Sequence, residues 1–368
     1  MKITEVRVYS VPLPVAGKPY RMARTEVAAL DSTVVEIKTS AGITGFGETC
    51  PVGPVYQPQH ALGARAALQE ICPAILGENP LAIDNVRRAM EQALNGSAYA
   101  KAAIDIALWD IAGKAHGARV CDLLGGAQRD RVPSYYSITV AAPEECARVM
   151  KEKQKEGYPR IQLKVGGRPL AEDLAAIRAV AAVRAPGVKL AVDANRGWTA
   201  RDAITASRLC ADIDCVFEQP CDTYEEVAAI RPVIRHPIYL DESTENIGVV
   251  LRTVGDGVAD GFGFKITRLG GLSIMRTIRD ICRARNLPHT VDDAWGGDII
   301  AAACVHLGAT VNPEHFDGSW IDQPYIAGHY DEKNPVAVRD GWIDVPKGHG
   351  LGIVPDVARW GAPVQAYG

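Results

Sequence analysis

The chain reads as an α/β protein: a (β/α)8 TIM-like barrel with an α+β capping domain at its N-terminus, completed by the C-terminal tail. Three observations predict this. Four short apolar runs, each closed by a polar residue, recur in the second half: Leu190-Ala191-Val192-Asp193, Cys215-Val216-Phe217-Glu218, Ile238-Tyr239-Leu240-Asp241 and Phe262-Gly263-Phe264-Lys265. Their closing residues are spaced by 25, 23 and 24 positions, close to the roughly 30 residues of one βα unit. Strand and helix patterns alternate throughout that half, whereas the first 50 residues are patterned as antiparallel β.

In chain order, Ile3 to Val11 is rich in strand formers, and Ser32–Lys38 alternates apolar with polar residues. Ser40-Ala41-Gly42 then turns into a strand over Ile43–Glu48. The Gly/Pro stretch Val15–Arg21 is long enough for a lid, and Pro51–Pro58 makes a second loop. From His60 to about Gly117 the pattern is Ala-rich and helical. Its clearest helix spans Tyr99–Ala112, with Ile104, Ala107, Leu108 and Ile111 on one stripe and Gly113 helping to end it. The barrel strands are expected at Tyr135–Val140, Ile161–Val165, Lys189–Asp193, Cys215–Glu218, Ile238–Asp241, Gly261–Lys265 and His289–Asp292, with an eighth near Thr310-Val311. Helices such as Leu174–Val183 and Ile274–Arg285 lie between them. The expected boundaries are 1–125 for the cap, 126–320 for the barrel and 321–368 for a tail that returns to the cap.

Composition excludes several function classes. An apolar content of 47% and a charged content of 23% are those of an ordinary globular protein. A net charge of −4, with no basic run, gives no footprint for nucleic acid. No stretch is long and apolar enough for a membrane span, and the start is a strand pattern rather than a secretory signal. The nine cysteines form no CxxC pair, and Cys72, Cys210, Cys282 and Cys304 sit in apolar surroundings. They read as buried thiols of a reducing compartment, so a cytoplasmic protein is expected. Gly45-Phe46-Gly47 and Gly270-Gly271 make no dinucleotide fingerprint, and a nicotinamide enzyme is rejected. The eight histidines show no ligand-like or His–Asp pairing.

Residues at the ends of consecutive barrel strands emerge on one face. Asp193, Glu218 and Asp241 are therefore gathered around one point; Glu242 is the alternative third member. Three carboxylates suit a hard divalent cation such as Mg2+, which keeps open positions for water or substrate. Lys164, closing Arg160–Lys164, and Lys265 flank them from opposite sides. A lysine with an ordinary pKa of about 10.4 must fall by roughly 2–3 units to act as a base near neutrality, and a cation with a second ammonium nearby drives such a fall. The matching reaction is proton abstraction alpha to a carboxylate, giving an enediolate stabilised by positive charge. A base on each face allows racemisation or epimerisation. A β-leaving group turns the same machinery into a dehydratase.

With these residues in place, the sequence resembles the enolase superfamily, in particular its muconate lactonizing enzyme subgroup, over essentially its whole length. The matching motifs are Gln162-Leu163-Lys164, Asp193-Ala194-Asn195, Glu218-Gln219-Pro220, Asp241-Glu242-Ser243 and Lys265. The resemblance favours Asp241 over Glu242 as the third member of the carboxylate cluster. The subgroup has a Lys-x-Lys pair where this chain has Gln162, so the extra lysine's charge is absent and Gln162 is free to touch substrate. Closer still is the resemblance to 4-hydroxyproline betaine 2-epimerases, also described as proline betaine racemases. It is carried by Gly47–Pro54, Tyr56, Asp292–Asp298, Gly318-Ser319-Trp320 and Gln323-Pro324-Tyr325. The resemblance implies Mg2+-dependent, two-base 1,1-proton transfer on a proline-type betaine. Tyr56, Trp295 and Trp320 would surround the quaternary ammonium, with Asp293 balancing its charge; each cation–π contact contributes about 0.5–2 kcal/mol. Dehydration of a cis-3-hydroxyproline or other hydroxy acid is the alternative, as is N-acyl amino acid racemisation or dipeptide epimerisation. The expected partner is a small betaine or imino acid carboxylate, and a homo-oligomer is expected.

Overall fold

The computed structural model describes all of residues 1–368. The N-terminal sheet is antiparallel, in the order Gln365–Tyr367, Ile3–Pro14, Ala29–Thr39, Thr44–Thr49. Its outermost strand on one side comes from the extreme C-terminus, with Val6 opposite Tyr367 and Val8 opposite Gln365. One face of the sheet buries Val6, Val8, Val35 and Ile37 against three helices, Ala61–Ile75, Ile83–Ala93 and Ala98–His116. The third helix differs from the expected one-sided stripe. Every residue from Tyr99 to Gly113 is buried, because the helix is packed between the capping sheet and the barrel. Gly113 does not end it: the helix runs on to His116 and closes at Gly117, whose left-handed φ of 63° suits a C-cap glycine. Gly47 lets the sheet approach this helix, since a Cβ there would lie 1.7 Å from the Ala103 carbonyl oxygen.

The barrel holds seven parallel strands in sequence order: Tyr135–Ile138, Arg160–Lys164, Lys189–Asp193, Val216–Glu218, Ile238–Leu240, Gly261–Lys265 and His289–Asp292. The eighth position is not at Thr310-Val311, which follows the helix Asp298–Gly308 directly. It is taken by the stretch around Phe316 to Ser319, which bridges His289 on one side and Ser134 on the other. These two parallel bridges close the ring between the seventh and first strands. The tail is shared between both parts of the molecule. Val338–Arg339 and Trp342–Asp344 form a small antiparallel sheet with Arg131–Pro133, while Ile326, Leu351, Trp360 and the last residues touch the cap.

The segment following the first strand folds as a two-stranded ribbon, Tyr20–Arg21 with Glu26–Val27, over the barrel mouth. The Arg21 amide donates to Thr139 Oγ1, and Arg24 reaches the Arg196 carbonyl and Asp222. All nine cysteines are buried and free. No helix is long and apolar enough to cross a membrane.

Candidate active site at the barrel mouth

Three strand ends place Asp193, Glu218 and Asp241 so that one carboxylate oxygen from each lies within 4.8 Å of the others. All three are at most 1% exposed. Asp241 rather than Glu242 joins this cluster. Glu242 turns to Asn195 Nδ2 at 3.0 Å, and burial together with the Asp241 and Asp193 carboxylates pushes it up to about 8. The turns beyond the third and fourth strands are tight, with Asn195 at φ 41° and Gln219 at φ 35°. Gln219 is held there because its Oε1 accepts from the Asp241 and Ser243 amides. Left-handed non-glycine residues fixed this way are a mark of functional loops.

Each carboxylate is oriented by donors from other parts of the barrel mouth. Glu218 Oε2 accepts from Gln162 Nε2 at 2.9 Å and from Arg160 at 3.3 Å, while Glu218 Oε1 has no hydrogen-bond partner. Asp241 Oδ1 accepts from Arg268 at 2.6 Å. Asp193 accepts from Lys164 and from the Asn195 amide. Burial and the two flanking carboxylates push Glu218 up to about 7, against the pull of Arg160. Asp241 goes the other way, down to about 2, because Lys265 and Arg268 outweigh its burial.

These residues fit a hard divalent cation. A buried carboxylate oxygen without a donor faces the cluster, and Gly263 opens space beside it, since a Cβ there would come within 3.0 Å of Glu218 Oε1. Charge agrees. The buried carboxylates Asp193, Glu218, Asp241, Glu242, Asp292 and Asp293 face the buried cations Arg160, Lys164, Lys265 and Arg268, an excess of two negative charges when all are ionised.

Lys164 and Lys265 stand at the two flanks of the cluster, on the second and sixth strands. Lys164 contacts Asp193, and Lys265 Nζ lies 3.4 Å from both Asp241 Oδ2 and Asp292 Oδ2. The depression expected of one lysine is not produced by the protein's own charges. Burial lowers both, but Asp193 acting on Lys164, and Asp241 with Asp292 acting on Lys265, more than reverse it. Both lysines sit above their ordinary value.

The remaining predicted residues, Tyr56, Gln162, Asp293, Trp295 and Trp320, all line the cavity between the lysines. Two of them also hold contacts within the protein. Gln162 is committed at both ends, accepting from Ser137 Oγ and donating to Glu218, so it orients a carboxylate. Asp293 accepts from the Thr267 amide on Oδ2 and from the Thr267 hydroxyl and the Ala294 amide on Oδ1, each at 2.7 Å, which fixes its carboxylate in the cavity wall and leaves Oδ2 a second acceptor site. Tyr56 has its hydroxyl 3.3 Å from Asp241 Oδ2. Trp295 and Trp320 meet edge to face with centroids 5.3 Å apart, and Trp320 also stacks on Tyr325 at 5.2 Å.

Several site residues escaped the sequence reading: Arg160, Arg268, Asn195, Tyr135 and Tyr20. Arg160 was legible, because a strand places Arg160, Gln162 and Lys164 on one face. It supplies, two residues earlier, the cation that Gln162 lacks, and its guanidinium lies 4.3 Å from the Tyr135 ring centroid. Tyr20, from the ribbon over the mouth, closes the cavity edge-on to Trp295 and Tyr325. The free space left is only about 30 Å3.

Residues 3–125 match the mandelate racemase / muconate lactonizing enzyme N-terminal domain, and residues 145–359 match the enolase C-terminal domain-like family. The chain belongs to the enolase superfamily. Within it, the chain is 40% identical over 371 residues to a cis-3-hydroxy-L-proline dehydratase of Roseibium aggregatum, covering 100% of both. It is 27% identical over 361 residues to an L-Ala-D/L-Glu epimerase of Bacillus subtilis, covering 96% of this chain and 97% of the relative. A solved enolase-superfamily member from Roseovarius nubinhibens ISM, complexed with magnesium, superposes with a TM-score of 0.94 at 34% identity, covering 100% of this chain and 99% of that one. This enolase-superfamily chain is thus an enzyme whose relatives include both a lyase and an epimerase. The finer resemblance to betaine epimerases is not what the 40%-identical relative carries in its name.

Proposed function

We propose that the enzyme binds Mg2+ on Asp193, Glu218 and Asp241 and dehydrates a cis-3-hydroxyproline-type imino acid, with Lys164 and Lys265 as the acid–base pair. The observation that carries this reading is the placement of the two lysines on opposite flanks of the carboxylate cluster. In a cis-3-hydroxyproline the hydroxyl shares a ring face with the carboxylate. The α-hydrogen therefore lies on the other face, anti to the hydroxyl. One lysine, neutral, takes the α-proton from its face. The opposed lysine, charged, gives a proton to the departing hydroxyl from the other. The C–H and C–O bonds break, a C=C bond forms, water leaves, and the enamine tautomerises to the cyclic imine.

A divalent cation held by the three carboxylates supplies positive charge that offsets the acids facing the lysines and the charge growing on the substrate carboxylate. Arg160 and Gln162 hold Glu218 by one oxygen and leave the other open for that role. The aromatic lining of Tyr20, Tyr56, Trp295 and Trp320 packs the ring, and Tyr20 keeps water out once its ribbon is closed. The small cavity favours a single ring over an N-acyl amino acid or a dipeptide, and admission of substrate requires the ribbon to lift.

A second reading has one specific support. Opposed bases surrounded by aromatic rings also suit 1,1-proton transfer on a proline betaine or a 4-hydroxyproline betaine. Proton NMR of the enzyme with Mg2+ in D2O separates the two. The dehydratase reading predicts that cis-3-hydroxy-L-proline loses its H-2 signal and forms the cyclic imine. Loss of the α-proton and epimer formation on the betaines, with cis-3-hydroxy-L-proline untouched, would replace it by the epimerase.

A further inference from the structure

A second cavity, of about 180 Å3, lies between the first strand of the cap and the C-terminal third of the chain. Leu13, Ile326, Val336 and Trp360 give it apolar walls. Asp298 and Asp322 also line it, and their circumstances differ. Asp298 is saturated: it accepts from His329 Nδ1 at 2.8 Å, from the Tyr330 amide at 2.5 Å and from the Val336 amide at 3.1 Å. Asp322 is 5% exposed, and its carboxyl has the Gly296 amide as neighbour and no cation. The carboxyls of Glu48, Asp293 and Asp298 stand around it and, with burial, hold it well above the usual carboxylate range.

A buried carboxylate without a counter-charge is costly, and native structures pair such charges. His329 and Arg359 also line the cavity, but His329 is paired with Asp298 and Arg359 with Glu332, so Asp322 is the buried carboxyl there with no cation of its own. Apolar walls offer no oxygen cage for a bare or hydrated metal ion. They suit an organic cation with a compact apolar body.

We propose that this cavity binds a small organic ammonium ion, a protonated primary or secondary amine, with its N–H groups on Asp322 and its hydrocarbon part against Leu13, Val336 and Trp360. The site is distinct from the catalytic one but adjoins it. Gly296 lines the second cavity, and the preceding residue, Trp295, lines the catalytic cavity. A bound amine thus rests on the back of the loop that shapes the substrate pocket. Binding ionises Asp322 and releases its proton.

The test is isothermal titration of the full-length Mg2+-loaded protein with pyrrolidinium chloride and n-butylammonium chloride. Neither probe has a carboxylate for the metal, and because the catalytic cavity also has an aromatic wall, the variants at Asp322 and Val336, which line the second cavity and not the catalytic one, assign the binding to it whichever substrate the enzyme turns over. The expected result is one saturable site per chain, with an enthalpy that varies with buffer ionisation as a proton is released. Asp322→Asn weakens binding at least 10-fold, and Val336→Phe, which fills the cavity from another segment, does the same. Should Asp322→Asn fail to fold, Val336→Phe decides. Absence of saturable binding by both amines, binding that survives the folded variants, or equal binding of KCl would overturn the proposal.

Discussion

The carboxylate wall of the catalytic cavity and its aromatic wall are built by different means. Asp193, Glu218 and Lys265 end strands of one parallel sheet, Asp241 follows the end of another, and each carboxylate is held by at least one fixed donor. Their positions are dictated by the backbone ladder. Tyr20, Tyr56, Trp295 and Trp320 instead come from a ribbon, a loop of the cap, a strand-to-helix turn and the stretch that closes the ring. Tyr20, Trp295 and Trp320 are positioned by one another, edge to face, while the Tyr56 hydroxyl meets Asp241 and Arg268. The difference teaches how labour is divided. The rigid wall carries the charge that proton abstraction needs, and the adaptable wall decides which ring fits.

If the charged wall is the chemical one, damage there removes turnover. Glu218→Ala is expected to lower kcat at least 1,000-fold and to abolish Mg2+ binding measured by calorimetry. Unchanged metal affinity would place the cation elsewhere.

A smaller effect is expected one step behind the wall. Arg160→Met leaves Glu218 held by Gln162 alone, and Mg2+ affinity falls about 10–100-fold, as is usual for groups that orient metal ligands. Because the buried Glu218 then also loses its ion pair, the metal-free melting temperature drops too. A variant with wild-type affinity would mean that Gln162 suffices.

Damage to the aromatic wall should read out differently. Tyr20→Ala is predicted to raise KM about 10-fold, in line with the loss of one or two aromatic contacts, with a lesser change in kcat. A kcat loss as large as that of Glu218→Ala would dissolve the distinction between the walls.

The smallest expected effect concerns Glu242, the buried acid left outside the cluster. Its folded-state pKa of about 8 lies above the unfolded value, so the folded chain keeps the proton that the unfolded chain sheds between roughly pH 4.5 and 8. Stability without metal therefore falls as pH rises through that window. Glu242→Gln avoids the penalty. In EDTA its melting temperature is expected to exceed that of the parent by a few degrees at pH 8 and to match it at pH 4.5. Equal melting at both pH values would show that Glu242 is not under strain.

The charged wall was the legible one, because strand periodicity and βα spacing fix which face a residue occupies. Asp193, Glu218, Lys164 and Lys265 could be brought together from that spacing, whereas the choice of Asp241 over Glu242 rested on the resemblance. Partners across loops could not. That Thr267, 26 positions before Asp293, supplies the hydroxyl and amide that fix its carboxylate was not legible in the sequence. The closing stretch near Phe316 was missed because it is tied by single bridges and shows no strand pattern, whereas Thr310-Val311 does. Tyr20 fell inside a segment recognised as a lid, but which lid residue reaches the cavity depends on the ribbon's turn.

The central claim is that two opposed lysines divide the proton transfers. It is tested most directly by following cis-3-hydroxy-L-proline by proton NMR in D2O with Mg2+, using the Lys164→Ala and Lys265→Ala variants. Each variant should lose dehydration by at least 1,000-fold. The α-proton should still wash out in the variant that retains the base on the α-hydrogen's face, and stay in the other. Undiminished dehydration by either variant, or identical exchange in both, would contradict the account.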